Sequence, residues 1–89
     1  LDTIIVIINI IVLKQIEMIR KNAALDLLDD KTKEALIYRE KYKEASLKEL
    51  SEIISLETGK KITKSGLNHR FRKIKELAKK IEELKNNEG

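Results

Sequence analysis

The chain has 89 residues, a net charge of +4, three glycines, and neither cysteine nor proline. The length fits one small domain, zero Cys removes disulfides and thiol chemistry, and a lone histidine, His69, removes multi-His metal sites and the usual His-paired triads. Three aromatics argue against base stacking on single strands, while 38% charged residues with no proline point to an all-α protein.

The chain opens on Leu1 rather than Met and so reads as a domain cut from a longer protein. Residues 4–13 (IIVIINIIVL) are nine aliphatics interrupted by Asn9. A bilayer-spanning helix needs about 20 apolar residues, and this run stops at Lys14. A signal peptide wants basic residues before the run and a small-residue cleavage site after it; Asp2 precedes it and Lys14-Gln15 follow. No membrane association is expected. Ile and Val favour a strand, but no second strand is evident to pair with it, and Leu13, Ile16, Met18 and Ile19 among polar neighbours carry a helical pattern onward. The expectation is one helix over about residues 3–22, with Asp2 or Thr3 as N-cap. Being apolar on all sides over three turns, it must be buried or self-associate, which makes residues 4–19 a candidate homo-oligomer surface.

Ala23–Asp29 reads as a connector anchored by Leu25, Leu27 and Leu28. Asp29 or Asp30 then caps a second helix, roughly 31–43, whose inner stripe is Ala35, Leu36, Tyr38, Arg39 and Tyr42. Ser46-Leu47-Lys48-Glu49 is a capping box. It opens a short third helix with apolar positions Leu47, Leu50, Ile53 and Ile54, ending near Leu56. Glu57–Lys61 is the turn, where Gly59 is free to take positive φ, and Ile62 is a buried anchor after it.

Thr63 is the N-cap candidate for the last and longest helix, with apolar positions Leu67, Phe71, Ile74, Leu77, Ala78, Ile81 and Leu84 at helical spacing. Asn86–Gly89 reads as a frayed tail. Charge gathers here. Residues 1–29 and 30–58 each net −1, whereas residues 59–89 hold ten basic and four acidic groups, or +6. Such clustering is the footprint of a polyanion partner, or else a lysine-rich solvated face. At 100° per residue, Ser65, His69, Arg72, Lys73 and Glu76 oppose the apolar stripe, with Asn68 beside them. Arg grips guanine and Asn grips adenine bidentately, and Lys and Ser suit phosphates. Gly66 costs ~1 kcal/mol relative to Ala inside a helix, and close approach of the backbone to a DNA strand is the favoured reason for it, ahead of a tolerated helix-end glycine.

Other patterns fail. Gly59–Gly66 lacks the Gly-Lys-Ser/Thr of a phosphate loop. Ile74, Leu77, Ile81 and Leu84 step like a coiled coil but cover under two heptads. The basic helix needs its apolar side for the core, which argues against membrane-surface binding. His69 has no nucleophile or metal-ligand pattern around it, so no enzymatic activity and no cofactor are expected. A capped short helix, a turn and a basic helix follow the helix-turn-helix plan, whose second helix enters the major groove.

Ala45-Ser46-Leu47-Lys48-Glu49-Leu50, followed by Ile62-Thr63-Lys64-Ser65-Gly66-Leu67-Asn68-His69-Arg70-Phe71-Arg72-Lys73-Ile74, closely resembles the C-terminal domain of the WhiA family of bacterial sporulation and cell-division regulators. The resemblance covers about residues 23–84. It implies a DNA-binding transcription factor with a further N-terminal part related to LAGLIDADG homing endonucleases but thought not to cut DNA. It also implies a helix-turn-helix like the promoter-reading domain of primary sigma factors. The family is usually polar upstream of Gln15, so nothing is carried onto residues 1–13. Pattern and resemblance together give an all-α helix-turn-helix domain of about four helices. Its organisation is an apolar helix and connector over 1–29, the DNA-binding domain over 30–86 and a disordered tail at 87–89. The expected contacts to double-stranded DNA are Lys60, Lys61, Thr63, Lys64, Ser65, Gly66, Asn68, His69, Arg70, Arg72 and Lys73, with the 63–76 helix in the major groove. RNA polymerase or a sigma factor is a further implied partner, and the cytoplasmic nucleoid the implied location. The alternative is a helical interaction module that does not touch DNA.

Overall fold

The structure, a computed structural model, describes residues 3–88, the side chain of Glu88 excepted. Its helices are α1 (Thr3–Lys21), α2 (Asp30–Lys41), α3 (Leu47–Thr58) and α4 (Lys64–Glu88), with a short 3-10 turn at Leu25–Leu27. No strand occurs among the described residues. The β-branched run at the start of α1 is helical although most of it is exposed: no strand among the described residues is there to pair with it, and α1 is held on the core further along, through Val12, Leu13, Ile16 and Ile19.

Helix ends follow from local chemistry. Ala23 N–H donates to Arg20 O and Ala24 N–H to Ile19 O, the paired bonds of a Schellman motif, with Ala23 at φ 53° where glycine is usual. Asp29 caps α2 by accepting from the Thr32 N–H at 2.7 Å. At α3 the capping box forms in both directions: Glu49 N–H donates to Ser46 Oγ and Ser46 N–H donates to Glu49 Oε1, each at 3.1 Å. The helix runs two residues beyond Leu56 and ends at Gly59, whose φ of 73° is the left-handed cap. Asp2, the other candidate cap of α1, lies outside the described residues.

The core joins Ile16 and Ile19 of α1, Ala35 and Leu36 of α2, Leu50 and Ile54 of α3, and Leu67, Phe71, Ile74, Ala78 and Ile81 of α4. Each fully buried Ile or Leu contributes about 1.5–3 kcal/mol of transfer free energy. α4 packs against all three other α-helices, most extensively α1. A two-pronged Arg20–Glu40 pair, at 2.6 and 2.7 Å, ties α1 to α2 at the surface.

Further details depart from the pattern-based expectation. Leu27 is 75% exposed rather than an anchor, because the 3-10 turn points Ala24 and Leu28 inward instead. α2 stops at Lys41, two residues early. α4 continues through Asn86 and Asn87 to Glu88, past the start of the expected tail; Gly89 lies outside the described residues.

The polar exception in the apolar run is the residue that is buried. Asn9 is 7% exposed, while Ile4, Ile7, Ile8, Ile10 and Ile11 are between 47% and 66% exposed. Arg39, itself 2% exposed, explains this. Its Nη1 donates to Asn9 Oδ1 at 3.2 Å, and its Nη2 donates to Tyr42 O at 2.6 Å and Ala45 O at 2.5 Å. Asn9 Nδ2 also donates to Ala45 O. Burial pushes the Arg39 guanidinium pKa down, as desolvation of a cation must.

Candidate nucleic-acid interface

α3, the turn Gly59–Thr63 and α4 form the helix-turn-helix pair. Two hydroxyls of α3 fix the turn. Ser55 Oγ accepts from the Ile62 N–H at 2.8 Å, and Thr58 Oγ1 accepts from the Lys60 N–H at 3.3 Å. Ile62 is only partly buried, against the core edge. Thr63 caps α4, with its Oγ1 accepting from the Gly66 N–H at 3.0 Å. The first N–H groups of α4, at Lys64 and Ser65, have no such acceptor among the described residues. They carry the positive end of the helix dipole toward the surface.

With Leu67, Phe71, Ile74 and Ala78 packed inward, α4 has three outer aspects. The crest carries Ser65, His69, Arg72, Lys73 and Glu76, all exposed. One flank faces α1: Asn68, Arg72 and Lys75 border Ile8, Ile11 and Gln15 around a shallow cavity of about 290 Å³. The other flank faces α2, where Gly66 is half-buried and Arg70 is largely covered.

Ion pairing divides the cations more sharply than charge counting does. Arg70 Nη1 lies 3.7 Å from Glu34 Oε1, and Lys73 Nζ lies 3.0 Å from Asp29 Oδ2. The Thr32 hydrogen bond first and the Lys73 ammonium second hold the Asp29 carboxyl well below the usual range. By contrast, no described carboxylate lies within ion-pair distance of Lys60, Lys61, Lys64, Arg72 or Lys75. Lys64, Arg72 and Lys75 thus carry unpaired positive charge around the N-terminal half of α4, while Lys60 and Lys61 line a cavity that also holds Asp30 and Glu34.

Of the eleven expected contact residues, Lys60, Lys61, Thr63, Lys64, Ser65, Asn68, His69 and Arg72 are exposed, with Lys60 and Lys61 on the α2 side beside Arg70. Lys73 is exposed but paired, and Arg70 is turned toward α2. Gly66 has an internal reason: a Cβ there would sit 3.3 Å from Thr63 Oγ1, crowding the cap. The sequence pattern missed two exposed cations. Lys75 lies seven residues from Asn68 and three from Arg72, a signal available in the helical spacing. Lys48 comes to the start of α4 only through tertiary packing. Among the described residues no helix is long and apolar enough to cross a membrane.

A family model described as the WhiA C-terminal HTH domain matches residues 6–78. The match therefore reaches into the isoleucine-rich part of α1, upstream of where the resemblance by motif began. A "Probable cell division protein WhiA" from Bacillus mycoides (strain KBAB4) is 49% identical over 72 residues, covering 78% of this chain and 22% of the relative. Proteins of the same name from Bacillus cereus (strain G9842) and Bacillus cytotoxicus (strain DSM 22905) are similar to the same extent. The chain thus spans about a fifth of the length of the curated relatives it matches. No solved structure is significantly similar to it.

Proposed function

The chain belongs to the WhiA family, and on that premise we propose that it binds double-stranded DNA sequence-specifically, as the reading domain of a bacterial regulator of cell division. The observation that carries this reading is the set of uncompensated cations around the exposed amide, hydroxyl and imidazole of α4. Groups of this kind recognise phosphates and base edges. In the proposed pose the first three turns of α4 enter the major groove. Asn68 and Arg72 meet base edges, His69 a base or a phosphate, and Lys60, Lys61, Lys64 and Lys75 the phosphates. Thr63 and Ser65 bring the positive helix end to a phosphate. Arg70 and Lys73 contribute only when DNA competes them away from Glu34 and Asp29.

The experiment is a titration with a random duplex library at two salt concentrations, followed by sequencing of what is retained. About five neutralised phosphates give a slope of log K against log[salt] of roughly −4 to −5. The retained pool should be enriched in one motif. No retention at low salt, or retention indifferent to salt, would overturn the reading.

A second surface supports a role alongside DNA binding. The outer face of α1 exposes Ile7, Ile10 and Ile11 between 47% and 51%, at spacing that lines one side of a helix. Contiguous apolar patches of this kind mark interaction sites, and self-association through residues 4–19 would place two reading helices on one duplex. Sedimentation of the chain with Ile7→Glu and Ile11→Glu checks this: the unmodified chain should show a concentration-dependent mass and the variant should not.

A further inference from the structure

Between the N-terminal half of α1 and the starts of α3 and α4 lies a cavity of about 490 Å³, within the size range of about 300–1,000 Å³ typical of small-molecule sites. Its walls are apolar: Ile5, Ile8, Val12, Leu47 and Phe71. Asn9, Ser46, Arg39, Lys48 and Lys64 also line it, and among the described residues no acidic one does. Arg39 is 2% exposed, and no described carboxylate pairs with its buried charge. Its Nε, moreover, donates to no acceptor among the described residues. A buried cation satisfied only by neutral oxygens is costly unless a counter-charge approaches it.

The geometry points to an amphiphilic monoanion, an aliphatic carboxylate of medium chain length, as the ligand of this cavity. The chain lies on Ile5, Ile8, Val12, Leu47 and Phe71, and the head group sits in the combined field of Arg39, Lys48 and Lys64. Neither half of the site suffices by itself. An uncharged hydrocarbon leaves the three cations unmatched, and a small inorganic anion leaves the apolar walls uncovered. Lys64 and Asn68, which also line the cavity, belong to the proposed DNA-reading surface. On that reading, a bound carboxylate neutralises part of the charge that DNA needs, and the ligand and the duplex oppose one another.

The test follows the backbone amide shifts of the isotopically labelled chain during titration with decanoate below its micellar concentration, and separately with 1-decanol and with acetate. Saturable shifts at Ile5, Ile8, Val12 and Leu47 are expected with decanoate, at least tenfold weaker binding with 1-decanol, and none with acetate. Equal affinity for decanol and decanoate overturns the proposal. So does a response confined to Ile7, Ile10 and Ile11, or one that follows protein concentration alone, since either would give the surface to a second copy of the chain. Lys48→Gln combined with Lys64→Gln, both at exposed positions, should weaken decanoate about tenfold at unchanged helix content; unchanged affinity overturns the assignment of the head group. Decanoate saturation should then weaken duplex binding several-fold. Decanoate binding without any DNA binding removes the proposed function and leaves the cavity's ligand standing. DNA binding without any decanoate response does the reverse.

Discussion

Arg70 and Arg72 are two positions apart and chemically identical, yet they do different work. Arg72 stands exposed on the crest with no acid partner among the described residues, whereas the Arg70 side chain is 20% exposed and faces Glu34. Arg72→Ala should cost ~1–3 kcal/mol of discrimination at one base pair, if it grips a base, and relax preference there. Arg70→Ala should change DNA affinity much less; competition binding with matched and mismatched duplexes separates the two. A second expectation concerns Asn9 and Arg39. Asn9→Leu strands a guanidinium N–H, and Arg39→Met leaves Asn9 Oδ1 without its donor and takes one donor each from Tyr42 O and Ala45 O, so each alone should lose ~1–3 kcal/mol. The double variant should lose less than the two added together. Urea denaturation of the four proteins closes the cycle. Strict additivity would mean that the 3.2 Å bond between the two side chains contributes nothing.

At the level of elements, the caps were the most legible part of the chain, because a cap is a local exchange of hydrogen bonds among neighbours. Ser46 and Glu49 form the box their spacing announces, and Asp29 and Thr63 accept as expected. What spacing could not convey was the azimuth of α1. A helix apolar on every side carries no periodicity that selects an inner face, and the choice falls to Asn9 meeting Arg39 from thirty residues away. The depth of Arg39 was equally hidden, although its place in the inner stripe was not. The end of α1 offers a direct test. Ala23 holds a left-handed conformation that costs an L-residue roughly 1–2 kcal/mol. Ala23→Gly should therefore stabilise the protein by about 0.5–1 kcal/mol after the added entropy of the unfolded chain is subtracted, read as a rise in Tm.

For the whole molecule, acid sensitivity follows from three carboxyls, one at the cap of α2 and two on α3. Asp29 is lowered chiefly by Thr32 and then Lys73, Glu49 by the Ser46 N–H, and Glu57 by the Tyr42 hydroxyl. In each case the unfolded chain binds the proton more readily, so stability rises with pH across the acid range. The contribution is complete above the ordinary carboxylate pKa and is lost as pH falls through the lowered ones. Asp29→Asn keeps a capping oxygen but drops the charge, so its acid unfolding curve should be shallower than the parent's. The same substitution frees Lys73, and DNA affinity at low salt should rise about two- to threefold. Unchanged affinity would show that Lys73 lies outside the DNA footprint. The division of cations into paired and unpaired was invisible in a charge count, since Asp29 and Lys73 are 44 residues apart in the chain.

The long α4 has one more use. It continues beyond Ala78 for ten residues, of which only Ile81 is buried among those whose side chains are described. Asn86 therefore lies about 30 Å along the helix from Ser65, at about 1.5 Å per residue. Because the chain contains no cysteine, Asn86→Cys creates a single attachment point for a fluorophore. Energy transfer from that point to dyes placed along a duplex would turn the helix into a ruler, and the bearing of α4 against the groove could be read in solution.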